Sequence, residues 1–90
     1  MLVLKKPGQA GTVESNDILI AVAPGEAGTG VTINLTSPVE KQFGAQIRTV
    51  IGETLAACGV ADAVVTANDR GALDCTVRAR VETAVARGAE

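Results

Sequence analysis

Leu73-Asp74-Cys75-Thr76-Val77-Arg78-Ala79-Arg80-Val81-Glu82-Thr83-Ala84-Val85-Ala86-Arg87-Gly88 is the stretch whose reading decides the fold. Two periods fit it. Leu73, Cys75, Val77, Ala79 and Val81 alternate with polar residues as in a half-buried strand, whereas Leu73, Val77, Val81, Ala84 and Val85 share one face of a helix. The helix prevails because the alternation is lost after Val81, Asp74 favours a helix N-terminus, and Asp74 and Arg78 can pair one turn apart. Gly88 is a reasonable stop.

Working back from this helix, Ala63-Val64-Val65-Thr66-Ala67 is a short β-branched run that ends at the turn residues Asn68-Asp69-Arg70-Gly71, which predicts a strand. Upstream, Ser37-Pro38-Val39-Glu40 has the spacing of a capping box with proline in the first turn, so a second helix is expected to start there. Phe43, Ile47, Val50, Ile51, Leu55 and Cys58 recur along its buried face, with Phe43, the only aromatic residue, expected to anchor the core. Gly59 closes the helix in a left-handed cap. The interior glycines Gly44 and Gly52 each cost about 1 kcal/mol relative to alanine, which predicts a close approach of this helix to the sheet.

Further upstream, Val31, Ile33 and Leu35 alternate with Thr32, Asn34 and Thr36, and Ile18, Ile20 and Val22 alternate with Leu19 and Ala21 up to Pro24-Gly25. These two strands read as a hairpin joined by the glycine-rich loop 24–30. Residues 11–14 read as a further short strand that reverses at Ser15-Asn16-Asp17. The expected order is β-β-β-α-β-α. It makes one α+β domain over 1–90, a two-layer fold in which a roughly four-stranded, mostly antiparallel sheet carries two helices on one face.

Composition narrows the function classes. A chain of 90 residues builds one core with little room for a deep cavity. Eight basic against ten acidic residues leave no electrostatic footprint for a nucleic acid, and one aromatic residue offers no stacking platform. No segment is long enough to span a bilayer, and the apolar start Met1-Leu2-Val3-Leu4 is too short for a signal sequence. The cytoplasm is therefore expected, with Cys58 and Cys75 as buried free thiols. Their spacing and the absence of histidine argue against a zinc site. Gly25-Glu26-Ala27-Gly28-Thr29-Gly30 lacks the Gly-Lys-Ser/Thr ending of a phosphate loop. Asp69, Asp74 and Glu82 are accounted for by turn, cap and helix-surface roles.

What remains is Ser15, within Ala10-Gly11-Thr12-Val13-Glu14-Ser15-Asn16-Asp17. Without a histidine or other partner base it cannot be assembled into a nucleophilic dyad, so it reads as an attachment point. From spacing alone, a turn serine bonded to its own backbone is the commoner account. Glu14 and Asp17 beside it are either solvated acids or a negative patch for partners. Arg70, Arg78 and Arg80 are either a solvated helix face or a docking surface.

The segment ending in Gly11-Thr12-Val13-Glu14-Ser15, together with Ser37-Pro38-Val39-Glu40-Lys41-Gln42-Phe43-Gly44, Ile47-Arg48-Thr49, Gly71-Ala72-Leu73-Asp74-Cys75 and Arg78-Ala79-Arg80-Val81-Glu82, resembles the acyl carrier protein (gamma chain) of citrate lyase over nearly the whole chain. The Asp-Ser-Leu motif of four-helix carriers is absent, and Asn16 stands where related chains often have glycine. The resemblance implies that Ser15 carries a phosphoribosyl dephospho-coenzyme A group through a phosphodiester, installed by a prosthetic-group transferase. It also implies acetyl and citryl thioesters shuttled between an alpha (acyl transferase) and a beta (citryl lyase) subunit, with no catalytic residue in the carrier itself. The carrier of malonate decarboxylase, with a related group and a different acyl substrate, and an unmodified interaction module are the rival expectations.

Overall fold

The computed structural model describes residues 2–90. The elements run β1 (Gly8–Ala10), β2 (Ile18–Pro24), β3 (Val31–Thr36), α1 (Glu40–Ala57), β4 (Ala63–Asp69) and α2 (Asp74–Gly88), the expected β-β-β-α-β-α order. The deciding segment is indeed helical, with Val77, Val81, Ala84 and Val85 buried.

The four strands line up as β1-β2-β4-β3. β1 and β4 flank β2 antiparallel, and β3 runs parallel to β4, so the sheet is mostly antiparallel but mixed. The expected β2–β3 hairpin does not form, because β4 lies between the two strands and pairs Ile20 with Ala67 on one side and Leu35 with Ala67 on the other. Period-two patterning assigns a face to each strand but no neighbour. Here α1 supplies the crossover that parallel β3 and β4 require, and the β-branched Val64-Val65-Thr66 run takes one of the two inner positions, between β2 and β3.

The first strand is Gly8–Ala10 rather than 11–14. Gly11 takes φ +97°, which ends the extended run, and Thr12 then bonds locally.

One face of the sheet is buried. Ile18, Ile20 and Val22 from β2, Val65 and Ala67 from β4 and Leu35 from β3 meet Ile47, Ile51 and Leu55 of α1 and Val77, Val81 and Ala84 of α2. The outer face shows Thr32, Asn34, Val64 and Thr66 to solvent, so both helices form a single layer.

α1 departs from its expected start and core. Ser37 makes no capping box: its hydroxyl accepts from the Val39 N–H at 3.2 Å and donates to Asp69 Oδ2 at 2.8 Å, so the helix begins at Glu40. Phe43 is 48% exposed and does not anchor the core. The bond from Gln46 Nε2 to Asp74 Oδ2 at 2.8 Å sets the first residue of α2 level with Gln46, so no second helix covers the turn that holds Phe43. The same bond replaces the expected Asp74–Arg78 pair. At the other end, Gly59 takes φ +79°, with Val60 N–H on the Leu55 carbonyl and Gly59 N–H on that of Ala56, a Schellman ending.

The interior glycines are not contact points with the sheet. A Cβ on Gly52 would meet nothing within 4 Å, and one on Gly44 would meet only Glu40 of its own helix. The close approach lies elsewhere, where Gly8 of β1 abuts the Ala84 carbonyl and Gly88 of α2. Gly88 is the last residue of α2, and its carbonyl accepts from the Lys5 and Lys6 amides. Both cysteines are free thiols as expected, but Cys58 is only half-buried and Cys75, on the first turn of α2, is exposed.

Candidate functional site

Ser15 occupies the second position of the turn Glu14-Ser15-Asn16-Asp17, closed by the Asp17 N–H on the Glu14 carbonyl at 3.1 Å. Asn16 takes φ +64°, the left-handed conformation that asparagine tolerates better than most residues. The serine is exposed, and its side chain forms no hydrogen bond to any other described residue. Its hydroxyl is thus not spent on the local backbone, the ordinary role of a turn serine.

Distant parts of the chain hold the turn rigid. The Asn16 N–H donates to the Arg70 carbonyl at 2.8 Å and the Arg70 N–H donates to the Asp17 carbonyl at 2.9 Å, which ties the start of β2 to the end of β4. Asp17 is neither a solvated acid nor a free recognition charge. Its Oδ1 accepts from the Ile18 N–H at 2.7 Å and Arg80 Nε at 3.0 Å, and its Oδ2 accepts from Thr12 Oγ1 at 2.8 Å and Arg80 Nη2 at 3.0 Å. Such a two-pronged guanidinium–carboxylate contact fixes direction as well as distance. The bonds from Arg80, then from the Ile18 amide and Thr12, hold the Asp17 carboxyl at a pKa of about 2, well below its ordinary 3.8.

Arg80 is therefore engaged with the turn, whereas Arg70 and Arg78 present exposed side chains. Glu14 is exposed and free to face a partner. Asp69 is 1% exposed and structural: it accepts from Ser37 Oγ and from the Ala72 N–H at 3.0 Å, joining the start of α1 to the loop before α2. Burial, with Glu82 nearby, pushes the Cys58 thiol up, away from a reactive thiolate. Among the described residues no three histidine, cysteine or acidic side chains converge on a metal position.

The arrangement offers an exposed primary hydroxyl on a braced turn, with no described side chain hydrogen-bonded to it. It suits acceptance of a covalent group from a separate enzyme, because esterification would break no hydrogen bond of the described fold.

Comparison with known proteins decides the family. The profile described as Malonate decarboxylase delta subunit (MdcD), an ACP family, matches residues 5–88. The chain is 54% identical to the "Citrate lyase acyl carrier protein" of Lacticaseibacillus casei and 53% identical to that of Streptococcus mutans, in each case over 97% of this chain and 84% of the relative. The chain belongs to the citrate lyase acyl carrier protein family. Acyl carrier proteins of this kind act through a covalently attached prosthetic group and are carriers rather than catalysts. Among solved structures, one chain of a Pseudomonas malonate decarboxylase hetero-tetramer in complex with malonate superimposes with a TM-score of 0.75 at 20% identity, over 94% of this chain and 86% of that one. That likeness establishes a shared fold.

The residues around Ser15 were only partly visible in the sequence. The turn and the serine stood out. Arg80 stood out only as one of a basic group, because its contact with Asp17, 63 residues away, leaves no local signal.

Proposed function

We propose that this protein is the acyl carrier subunit of citrate lyase, a single cytoplasmic carrier domain with phosphoribosyl dephospho-coenzyme A attached to Ser15 Oγ by a phosphodiester. When bound, that group supplies a terminal thiol on which acetyl and citryl groups ride as thioesters. The observation that carries the reading is the unbonded, projecting Ser15 hydroxyl on a turn clamped from below, in a chain more than half identical to citrate lyase carriers.

The chain's own residues present, brace and steer the arm. Asn16 in its left-handed conformation turns the backbone so that Ser15 sits at the tip, open to the prosthetic-group transferase. Asp17 and Arg80 fix the base of the arm to α2, so the arm pivots from a defined origin. Glu14 adds negative charge beside the phosphodiester, a patch that a basic entrance on the alpha (acyl transferase) or beta (citryl lyase) subunit would recognise. Tethering then replaces free diffusion of the thiol by a high effective concentration at both partner sites.

Reconstitution tests this. Holo carrier, acetylated and mixed with its transferase and lyase subunits, is expected to release oxaloacetate from citrate. Apo carrier and the Ser15→Ala form are expected to release none, and restoration of the assay by unmodified carrier would overturn the proposal. The malonate decarboxylase reading draws on the description of the family profile; support of malonate decarboxylation, with no support of citrate cleavage, would select it.

A further inference from the structure

The exposed Phe43 forms one wall of an open groove of about 630 Å³ between the start of α1 and the loop that enters α2. Ile47 and Ala72 lie in it, and Leu73, 70% exposed, forms the opposite lip. Large apolar side chains left in water at the two lips of a concave surface mark a place that something covers.

The groove adjoins the Ser15 turn. Gly71 lines it, and a Cβ on Gly71 would lie 3.6 Å from Asn16 Oδ1. The neighbouring Arg70 carbonyl accepts the Asn16 N–H at 2.8 Å. One hydrogen bond thus separates the groove's end from the residue that follows Ser15.

Its chemistry selects among the parts of a coenzyme A-like arm. The described lining holds no lysine or arginine, and its two carboxylates, Asp69 and Asp74, are already engaged by Ser37, Ala72 and Gln46. Phosphates would face these carboxylates without a counter-charge. The thiol-terminated end of such an arm is an uncharged chain of methylenes, methyls and amides, which an apolar groove with a polar margin accepts. From this we propose that the groove is an intramolecular resting site for the uncharged, thiol-bearing end of the Ser15-linked arm. This inference rests on Ser15 being the attachment site.

The tether makes a weak site effective. An arm confined to its own carrier has an effective concentration on the order of millimolar, so a groove with millimolar affinity is filled about half the time. The arm then leaves when a partner subunit competes for it. The exposed Cys75 also lines the groove.

The test compares apo and holo carrier, after peptide mapping has located the adduct. An adduct elsewhere than Ser15 defeats the attachment reading and this inference together. With the adduct on Ser15, amide chemical-shift changes between apo and holo forms are expected at Phe43, Ile47, Ala72, Leu73 and Cys75 as well as around the turn. Changes confined to residues 12–18 would overturn the groove site and leave the attachment intact. A holo Phe43→Ser/Leu73→Ser variant, altered only at half-exposed or exposed positions, is expected to lose the groove shifts. Iodoacetamide should alkylate its arm thiol about twofold faster than that of the parent, as half-occupancy requires. Equal alkylation rates would count against the site. Groove shifts that grow with concentration in the apo form would assign the groove to a second copy, and shifts seen only after adding lyase subunits would assign it to a partner; either result overturns the proposal.

Discussion

Replacing Ile51 by alanine should damage the fold far more than replacing Phe43, although phenylalanine is the larger residue. Ile51 is 0% exposed at the junction of the sheet and both helices, whereas Phe43 is 48% exposed at the mouth of a groove. Ile51→Ala removes three carbons at about 0.8 kcal/mol each, and the unfilled space in a packed core raises the cost to about 3–4 kcal/mol. Phe43→Ala forfeits only the covered half of the ring and leaves space that water can enter, so about 1–2 kcal/mol is expected. Urea unfolding reads both. At a slope of about 1 kcal/mol/M, suited to a small domain, the midpoint should fall by about 3–4 M for Ile51→Ala and by about 1–2 M for Phe43→Ala. A loss for Phe43→Ala equal to or larger than that for Ile51→Ala would place Phe43 in the core, close the groove and refute the reasoning.

Three further outcomes follow from particular contacts. Gly52→Ala should stabilise the protein by about 0.5–1 kcal/mol, because a Cβ there meets nothing and the helix gains a better former, while Gly8→Ala should destabilise it by driving a methyl into α2; denaturant midpoints moving the same way would contradict this. Asp17 has a folded pKa of about 2 against an ordinary 3.8, so its stabilisation is present above pH 4 and is lost as pH falls towards 2. Asp17→Asn should flatten the acid limb of the stability profile in that window, and Arg80→Met should raise the Asp17 pKa measured by NMR titration; an unmoved pKa would remove Arg80 from the turn. Ser15→Ala should unfold within about 0.5 kcal/mol of the parent, since the side chain bonds to nothing in the fold, and a larger loss would reveal a structural role.

The sequence made the element order legible because each element carries its own period. Val77, Val81, Ala84 and Val85 return at helical spacing and are buried together, as are Ile18, Ile20 and Val22 at strand spacing. Neighbours were another matter. Nothing in Val31 to Thr36 says that its partner is β4, 32 positions on, rather than the strand just before it, because that choice is made by the crossover of α1. Phe43 departs from its expected burial for a related reason: helical period gives a face, but how far along that face cover extends depends on where α2 begins, and Gln46 and Asp74 set that. Ser37 looked like a cap until Asp69 claimed its hydroxyl.

At the site, the turn is legible from Ser15-Asn16-Asp17, and the attachment role is an expectation that the resemblance carries, while the Asp17–Arg80 brace is visible only in the fold. Glycines divide similarly. Gly59 announced its left-handed cap from its position after a helix, but Gly8 and Gly88 look like ordinary end residues until β1 is seen against α2.

Peptide mapping of the protein purified from its native host is the most direct measurement. Digestion and tandem mass spectrometry should find a phosphoribosyl dephospho-coenzyme A adduct on the peptide that contains Ser15, with fragment ions placing it on that residue. The Ser15→Ala protein expressed in the same host should carry no adduct. A group located on Ser37, Thr12, Cys58 or Cys75, or a fully modified Ser15→Ala protein, would contradict the assignment of Ser15 as the carrier residue.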